Sequence, residues 1–392
     1  MLKSIEETGD DKTMKIAALI DEAVQGGIMG AGNRTYVYQR IKEETEADAL
    51  IVVTCGNFVQ DGNPAETDKY QKAELLRKQG ADLVLELPVY CTLTTTDTFA
   101  FAAVSMLEKL NCVNEFVAVT EEADAGILSA IVQFLFIESK EYQNTVKKYR
   151  AEGMDFNRAQ AAAAERYIPG AEKILRSEAN RRAVEYAKAM KRMYSRMKLH
   201  FHNIEKTDNG NTVTDAACDG TSCMTDTARN RENHFNQTIG ARLKDFLDTL
   251  PDARKYFNEI AGGYAPSTES LLNAYRKNRL RNFTEFAEVL AAEDWMMDDA
   301  KRYLLRVLLG IRQVDISICG LYSYALYARA LGEYNDSGLL PILKEKSWIP
   351  VFSEKSADDP EGKMASAAMD DPGKILTEID RRANVIYHQV KI

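Results

Sequence analysis

Histidine is scarce in this 392-residue chain: there are four, at 200, 202, 234 and 388, and none among the first 199 residues. The six cysteines are scattered, which excludes a disulfide framework in a chain this long and makes a reducing cytoplasm the expected setting. Cys218 and Cys223 stand five apart with no CxxC pair, and His200, His202 and His234 lack finger spacing, so no metal site is expected. No apolar run approaches the ~20 residues of a membrane helix. The opening MLKSIEETGDDK is acidic and polar, without an apolar export segment. Positive charge is not in excess either. Fifty Lys and Arg against 59 Asp and Glu leave −9, so the surface as a whole does not attract nucleic acid, although a local basic face can. What remains, 45% apolar and 28% charged, is the composition of a globular chain. Its length suits two packed units.

Residues 14–22, MKIAALIDE, read as a first strand and 33–47 as a helix; DALIVVT at 48–54 reads as a strand buried on both faces. The helix KYQKAELLRKQG closes on Gly80, the strand ADLVLELPV stops at Pro88, a helix crosses 97–110, and a strand follows at 115–120. This alternation predicts right-handed βαβ units and a parallel sheet. From residue 128 the pattern turns helical. Residues 206–234 read as a long polar loop, 239–347 as almost wholly helical, and 354–373 as a solvated connection before a final helix. The expected organisation is a Rossmann-like α/β domain over 14–240 followed by a helical C-terminal domain over 241–392.

Gly56-Asn57-Phe58-Val59-Gln60-Asp61-Gly62-Asn63-Pro64-Ala65, then Asp68-Lys69-Tyr70 and Gly80-Ala81-Asp82-Leu83-Val84-Leu85-Glu86-Leu87-Pro88-Val89, form an unusual combination. Phe99-Ala100, Glu185-Tyr186, the run RYLLRVLLGI from Arg302 to Ile311, YARALG from Tyr327 and KEKSWIP from Lys344 continue it. Together they resemble the bacterial tRNA(Met) cytidine acetate ligases of the HIGH-type nucleotidyltransferase superfamily, over nearly the whole chain. The resemblance implies binding of ATP, with Mg2+, and activation of acetate as acetyl-AMP. It further implies acetylation of N4 of the wobble cytidine of elongator tRNA(Met), with the C-terminal domain helping to hold the tRNA. In that superfamily a His-x-Gly-His at the first strand-to-helix turn stabilises charge on the triphosphate.

The pair of histidines is absent here. Counted back from Arg40, the motif falls on Ala31-Gly32-Asn33-Arg34; counted forward from Met14, it falls near Gly27-Ile28-Met29-Gly30, a loop four residues longer than the family's. The Arg of the family's VQRG is Asp61, a charge reversal, and a family Gly is Ala102. Asn180 matches an ATP-contacting Asn, with Glu178 and Arg181 departing from the family's PNN; an ATP-contacting Arg falls on Lys206. A Ser-x-Thr-Ala-Ile-Arg element maps loosely onto Thr225-Asp226-Thr227-Ala228-Arg229. The nucleotide-site candidates are thus Gly30, Gly32, Gly56, Asn57, Ala102, Asn180 and Lys206, with Arg34 as the substitute cation. An ATP cleft is expected between the turn at 24–34 and the start of the 56–68 loop, with Asn180 and Lys206 facing it.

Each candidate has a plainer reading beside it. The glycine run from Gly26 to Gly32 either cradles phosphate through backbone N–H groups or is a relaxed turn. Asn57 either lines a pocket or braces the turn into the next loop, and Asp68 reads as a helix cap. Residues 171–206 hold ten Lys or Arg against four Glu, and 271–281 hold four bases and no acid. Lys188, Lys191, Arg192, Arg196, Arg276, Lys277, Arg279 and Arg281 either form an RNA-binding face with Tyr186, Tyr194, Phe201 and Tyr275 or belong to solvated helix faces. Trp295, Met296 and Met297 read as packing between helices.

Overall fold

The computed structural model describes residues 14–21, 31–204, 226–277, 280–293, 295–332, 338–354 and 371–390. Its first half is the expected alternation. β1 (Ile16–Ile20), α1 (Ala31–Thr45), β2 (Ala49–Cys55), α2 (Lys69–Lys78), β3 (Leu83–Leu87), α3 (Val89–Thr92), α4 (Thr96–Lys109) and β4 (Glu115–Glu121) follow one another. Every residue of β2 is buried, as a β-branched run between two helical layers requires. Asp68 caps α2, and Gly80 follows the C-cap Gln79 at φ 113°, a left-handed position that suits glycine.

α5 (Ala125–Ile137), α6 (Lys140–Ala151), α7 (Phe156–Glu165) and α8 (Ala171–Arg176) build a satellite core of their own, which α9 (Glu178–Met193) joins through Val184 and Ala187. The chain then returns to the sheet as β5 (Lys198–Ile204), parallel to β4. The helical reading of this region missed that strand. Its signal is the alternation of Leu199 and Phe201 with His200 and His202, blurred because an edge strand is only half covered.

The helices of the second half are α10 (Asp226–Thr249), α11 (Ala253–Glu259), α12 (Ala265–Arg276), α13 (Phe283–Ala291), α14 (Met297–Leu309), α15 (Gln313–Leu321), α16 (Leu339–Lys346) and α17 (Asp371–Val390). Two differences from expectation matter. The polar stretch read as a loop to 234 is helical from Asp226. And this half also supplies β6 (Ala328–Leu331) and β7 (Val351–Glu354) to the same sheet, in the order β5-β4-β1-β2-β3-β6-β7, with β6 antiparallel to β3. α1 and α2 cover one face of the sheet and α4 and α9 the other. The second apolar cluster runs from Ile16 through Phe235 and Ile239 of α10 to Tyr387 of α17, so position 240 lies inside a shared core. Each buried aliphatic side chain there contributes about 1.5–3 kcal/mol.

Candidate active site at the carboxyl edge of the sheet

Strand order reverses where β1 meets β4, the place where open α/β sheets bind ligands outside their carboxyl ends. Asp21 stands there, directly after β1 and 1% exposed, its N–H donating to the Val53 carbonyl at 2.8 Å. Arg34 and Tyr38, one turn apart on α1, both reach its carboxylate. Arg34 Nε donates to Oδ2 at 2.8 Å and the Tyr38 hydroxyl to the same atom at 2.5 Å. Burial lowers the Arg34 pKa, but the charge and hydrogen bond of Asp21 outweigh it and raise the pKa above its ordinary value. Burial first, and Asp21 second, push the Tyr38 phenol well above its ordinary range. The candidate cation therefore sits at the first turn with its charge balanced by a buried carboxylate. Gly30 lies outside the described residues, and Gly32 belongs to the first turn of α1.

The second turn is built differently. Asn57 Oδ1 accepts from the Lys69 N–H at 3.1 Å, and its Nδ2 donates to Asn384 Oδ1 of α17 at 2.7 Å. Its carbonyl accepts from Ala65 at 2.9 Å. Asn57 thus braces the turn, and it also lines a small cavity with Gly56, Lys69, Glu86, Asp380 and Asn384. A Cβ on Gly56 would fall 2.1 Å from Glu86 Oε1, so glycine is required by close approach. Glu86 pairs with Lys69 at 3.0 Å and with Arg329 of β6 at 3.2 Å, and Arg329 pairs with Asp380 of α17 at 2.9 Å. Asp380 also accepts from the Val89 N–H at 2.8 Å and from the Tyr327 hydroxyl. On the far side of the loop, Gly62 (φ 82°) lies against Lys301 and Arg302 of α14.

Asn180 is 1% exposed, and all its amide contacts are to backbone: Nδ2 donates to the carbonyls of Glu121 at 2.9 Å and Ile174 at 3.0 Å, and Oδ1 accepts from Glu121 N–H at 2.8 Å. It clamps the end of β4 to the α8–α9 junction and does not face an opening beside Asn57, contrary to expectation. The physical reason is that a short amide at a buried junction satisfies backbone groups first. Ala102 is fully buried within α4, and Lys206 lies outside the described residues.

The large opening lies elsewhere. A cleft of 1020 Å³ runs between α9 and α14, floored by Cys55, Val59, Gln60 and Thr96. Asp61, Glu178 and Asp298 meet at its mouth. Burial first, then Asp298 and Asp61 among its neighbours, raise the Glu178 pKa against the pull of Arg181; burial and Asp61 raise that of Asp298. Of the candidate RNA residues, Lys188 and Arg192 line this cleft. Lys188 is buried and neutralised by Glu138 at 3.3 Å and Glu185 at 3.0 Å, which takes it out of any exposed face. Lys191 turns to Gln133 of α5, and Arg196 pairs with Glu108 at 3.1 Å beneath the Trp348 ring. α9 thus spreads its bases over several sides. Arg276, Lys277 and Arg281 are exposed, and Arg279 lies outside the described residues. Trp295 packs on Tyr303, as expected, whereas Met296 is half exposed at the cleft.

Residues 34–391 match the family model of HIGH nucleotidyl transferases. The chain belongs to that family. It is 26% identical to the tRNA(Met) cytidine acetate ligase of Acetivibrio thermocellus over 360 residues, covering 82% of this chain and 84% of the relative. To the enzyme of the same name from Clostridium perfringens it is 27% identical, covering 88% and 89%. Solved structures of Thermotoga maritima TmcAL, one bound with alpha-thio ATP and one apo, match with TM-scores of 0.73 and 0.74 at 21% identity. Both matches cover 96% of this chain and 95% of the other. The family match begins at Arg34, so β1 and Asp21 lie outside it.

Several residues of this HIGH nucleotidyltransferase escaped sequence reasoning. Asp21, Tyr38, Arg329, Asp380 and Asn384 gained their meaning from partners far along the chain. One signal was available: Glu86, alone among apolar neighbours in LVLELP, marks a buried charge that must have a partner.

Proposed function

We propose that this chain holds ATP and tRNA(Met) on the frame of the cytidine acetate ligases, in the cytoplasm where both occur, and has lost efficient activation of acetate. The observation that carries this reading is the Asp21–Arg34 pair at the first turn. Relatives of this superfamily are expected to place imidazoles there, and this chain has no histidine before position 200. The guanidinium that stands in their place is already opposed by a carboxylate. It would stabilise charge developing on a triphosphate far less than a free cation would, and loss of one such group costs about 10²–10³ in rate. Holding a phosphate is less demanding. Asp21 engages Arg34 through Nε and Nη2, at 2.8 and 3.4 Å, while Nη1 has no partner among the described residues. That edge of the fork, with the N–H groups that open α1, fits a phosphate oxygen. When bound, ATP would supply the adenylyl group, and Arg34 with the N–H groups that open α1 would orient its phosphates.

The same Nη1 edge of Arg34 favours a second reading, a slow working ligase with Arg34 as its charge-stabilising group. Calorimetric titration with ATP, followed by AMP release with acetate, millimolar ATP and tRNA(Met), separates the two. Binding without acetate-dependent AMP is the expected result. Acetate-dependent AMP that disappears in Arg34→Ala would establish the slow ligase, and absence of ATP binding would defeat both.

A further inference from the structure

Three of the arginines that line the cleft, from two helices, lie within reach of one another's charge. Arg182 comes from α9; Arg302 and Arg306 stand four apart on one face of α14. Arg302 is 9% exposed; its Nη1 donates to the Gln60 carbonyl at 2.8 Å, its Nη2 meets Asp299, and its buried Nε has no hydrogen-bond partner among the described residues. Arg306 donates to the carbonyls of Leu93 at 2.6 Å and Ala261 at 2.9 Å and makes no ion pair among the described residues. Arg182 reaches Glu178 at 2.7 Å.

The start of α4 opens at the same place. Its N-cap, Thr95, accepts no hydrogen bond from the first-turn N–H groups, because its hydroxyl is turned to the side chains of Asp97 and Thr98. Gln60 joins the two parts, with its carbonyl on Arg302 and its amide donating to Thr96 Oγ1 at 3.2 Å. Uncapped N–H groups and clustered guanidinium groups share one preference, an anion.

The cluster carries a cost as it stands. Burial, and then the charge of Arg302, lower the pKa of Arg182 and of Arg306 to about 10. Among the described residues, Glu178 and Asp299, which pair with Arg182 and Arg302, are 50% and 40% exposed and keep a solvated alternative; Asp61, Asp97, Glu138, Glu185 and Asp298 also line the cleft. An oxyanion among the arginines would relieve their mutual repulsion and give Arg302 Nε an acceptor.

We propose that Arg182, Arg302 and Arg306, with the uncapped start of α4, form a phosphate pocket that grips a phosphodiester of the bound RNA. The RNA rests on the functional reading above; the phosphate rests on this geometry. Neither Arg34 nor Asp21, at the first turn where nucleotide would be met, is among the pocket's lining residues. Its arginines are also not the exposed bases of α9 and α12 that composition alone singles out.

The test uses the full chain, with Arg182→Gln, Arg302→Gln and Arg182→Lys. Anisotropy with a labelled tRNA(Met) anticodon stem-loop is read across a salt series, calorimetry with ATP runs beside it, and melting temperature is followed with inorganic pyrophosphate. Each Gln variant should weaken RNA binding about tenfold and reduce the salt slope by about one, since one phosphate contact is lost, with ATP affinity within about twofold. Arg182→Lys should keep the salt slope while losing part of the affinity, because it keeps the charge without the fork. Should Arg302→Gln fail to fold, the two Arg182 variants decide alone. RNA affinity that does not move, or a loss confined to ATP, overturns the proposal. If the wild type binds no RNA, the functional reading fails. Pyrophosphate protection lost in Arg182→Gln would then still support the phosphate pocket, and no protection would end it.

Discussion

The turns that leave β1 and β2 open at the same carboxyl edge, yet their residues are committed in opposite ways. After β2, Gly56, Asn57, Lys69 and Glu86 are fastened to β6 and α17 by a buried network that spans most of the chain. After β1, a single carboxylate holds two side chains of the next helix, and the family match does not reach it. The segment that most strongly marks the family is therefore the one that holds the frame together. A turn held by one carboxylate can change its chemistry without unfolding the protein, whereas a turn whose side chains are shared by three elements cannot.

This contrast is breakable, and the strongest test is at α17. Asp380→Ala removes the acceptor of the Val89 N–H and the Tyr327 hydroxyl and leaves Arg329 with one counter-ion fewer. Urea unfolding should show a loss of about 3–5 kcal/mol; a loss under about 1 kcal/mol would mean that α17 does not fasten the second turn.

The first turn should respond less. Arg34 lies in α1 and balances a carboxylate that is 2% exposed. Arg34→Ala should cost about 2 kcal/mol, because Tyr38 remains as a donor, and adding Asp21→Asn should recover most of it. Asp21→Asn alone unmasks the guanidinium and should raise acetate-dependent AMP release above the wild-type level; no rise would show that the opposing carboxylate is not what limits Arg34.

The smallest effect concerns the mouth of the cleft. Asp298 and Glu178 have pKa values raised in the fold, burial leading and Asp61 among the causes. A carboxyl group raised on folding contributes stability that is full below its unfolded pKa, about 4, and is lost as pH rises through the folded value. Asp298→Asn should therefore remove part of a decline in stability above pH ~4, read as a flatter dependence of the urea midpoint on pH. An unchanged slope would show that these carboxylates do not feel one another.

Much of the fold was legible because it is local. Consecutive β-branched residues in DALIVVT, the capping Asp68 and the glycine after α2 each state their structure within a few positions. β6 was not legible, because Ala328–Leu331 is short, carries Arg329 in its middle and becomes a strand only by pairing with β3. β5 was hidden by an edge strand's mixed exposure. At the site, the missing histidines and the reversed charge at Asp61 were visible at once. The hydrogen bonds of Asn57 to Asn384 and of Asn180 to Glu121 were not, since these partners stand 327 and 59 residues away.

The sequence by itself determined the parallel sheet, the family and the loss of an imidazole at the first turn, since each follows from residue identity or short-range pattern. Tertiary structure decided which charges are free. Arg34 is balanced by Asp21 and Lys188 by two glutamates, while Arg306, among the described residues, bonds carbonyls alone. A side chain's identity carries its charge, but its neighbours in space set how much of that charge a ligand can feel.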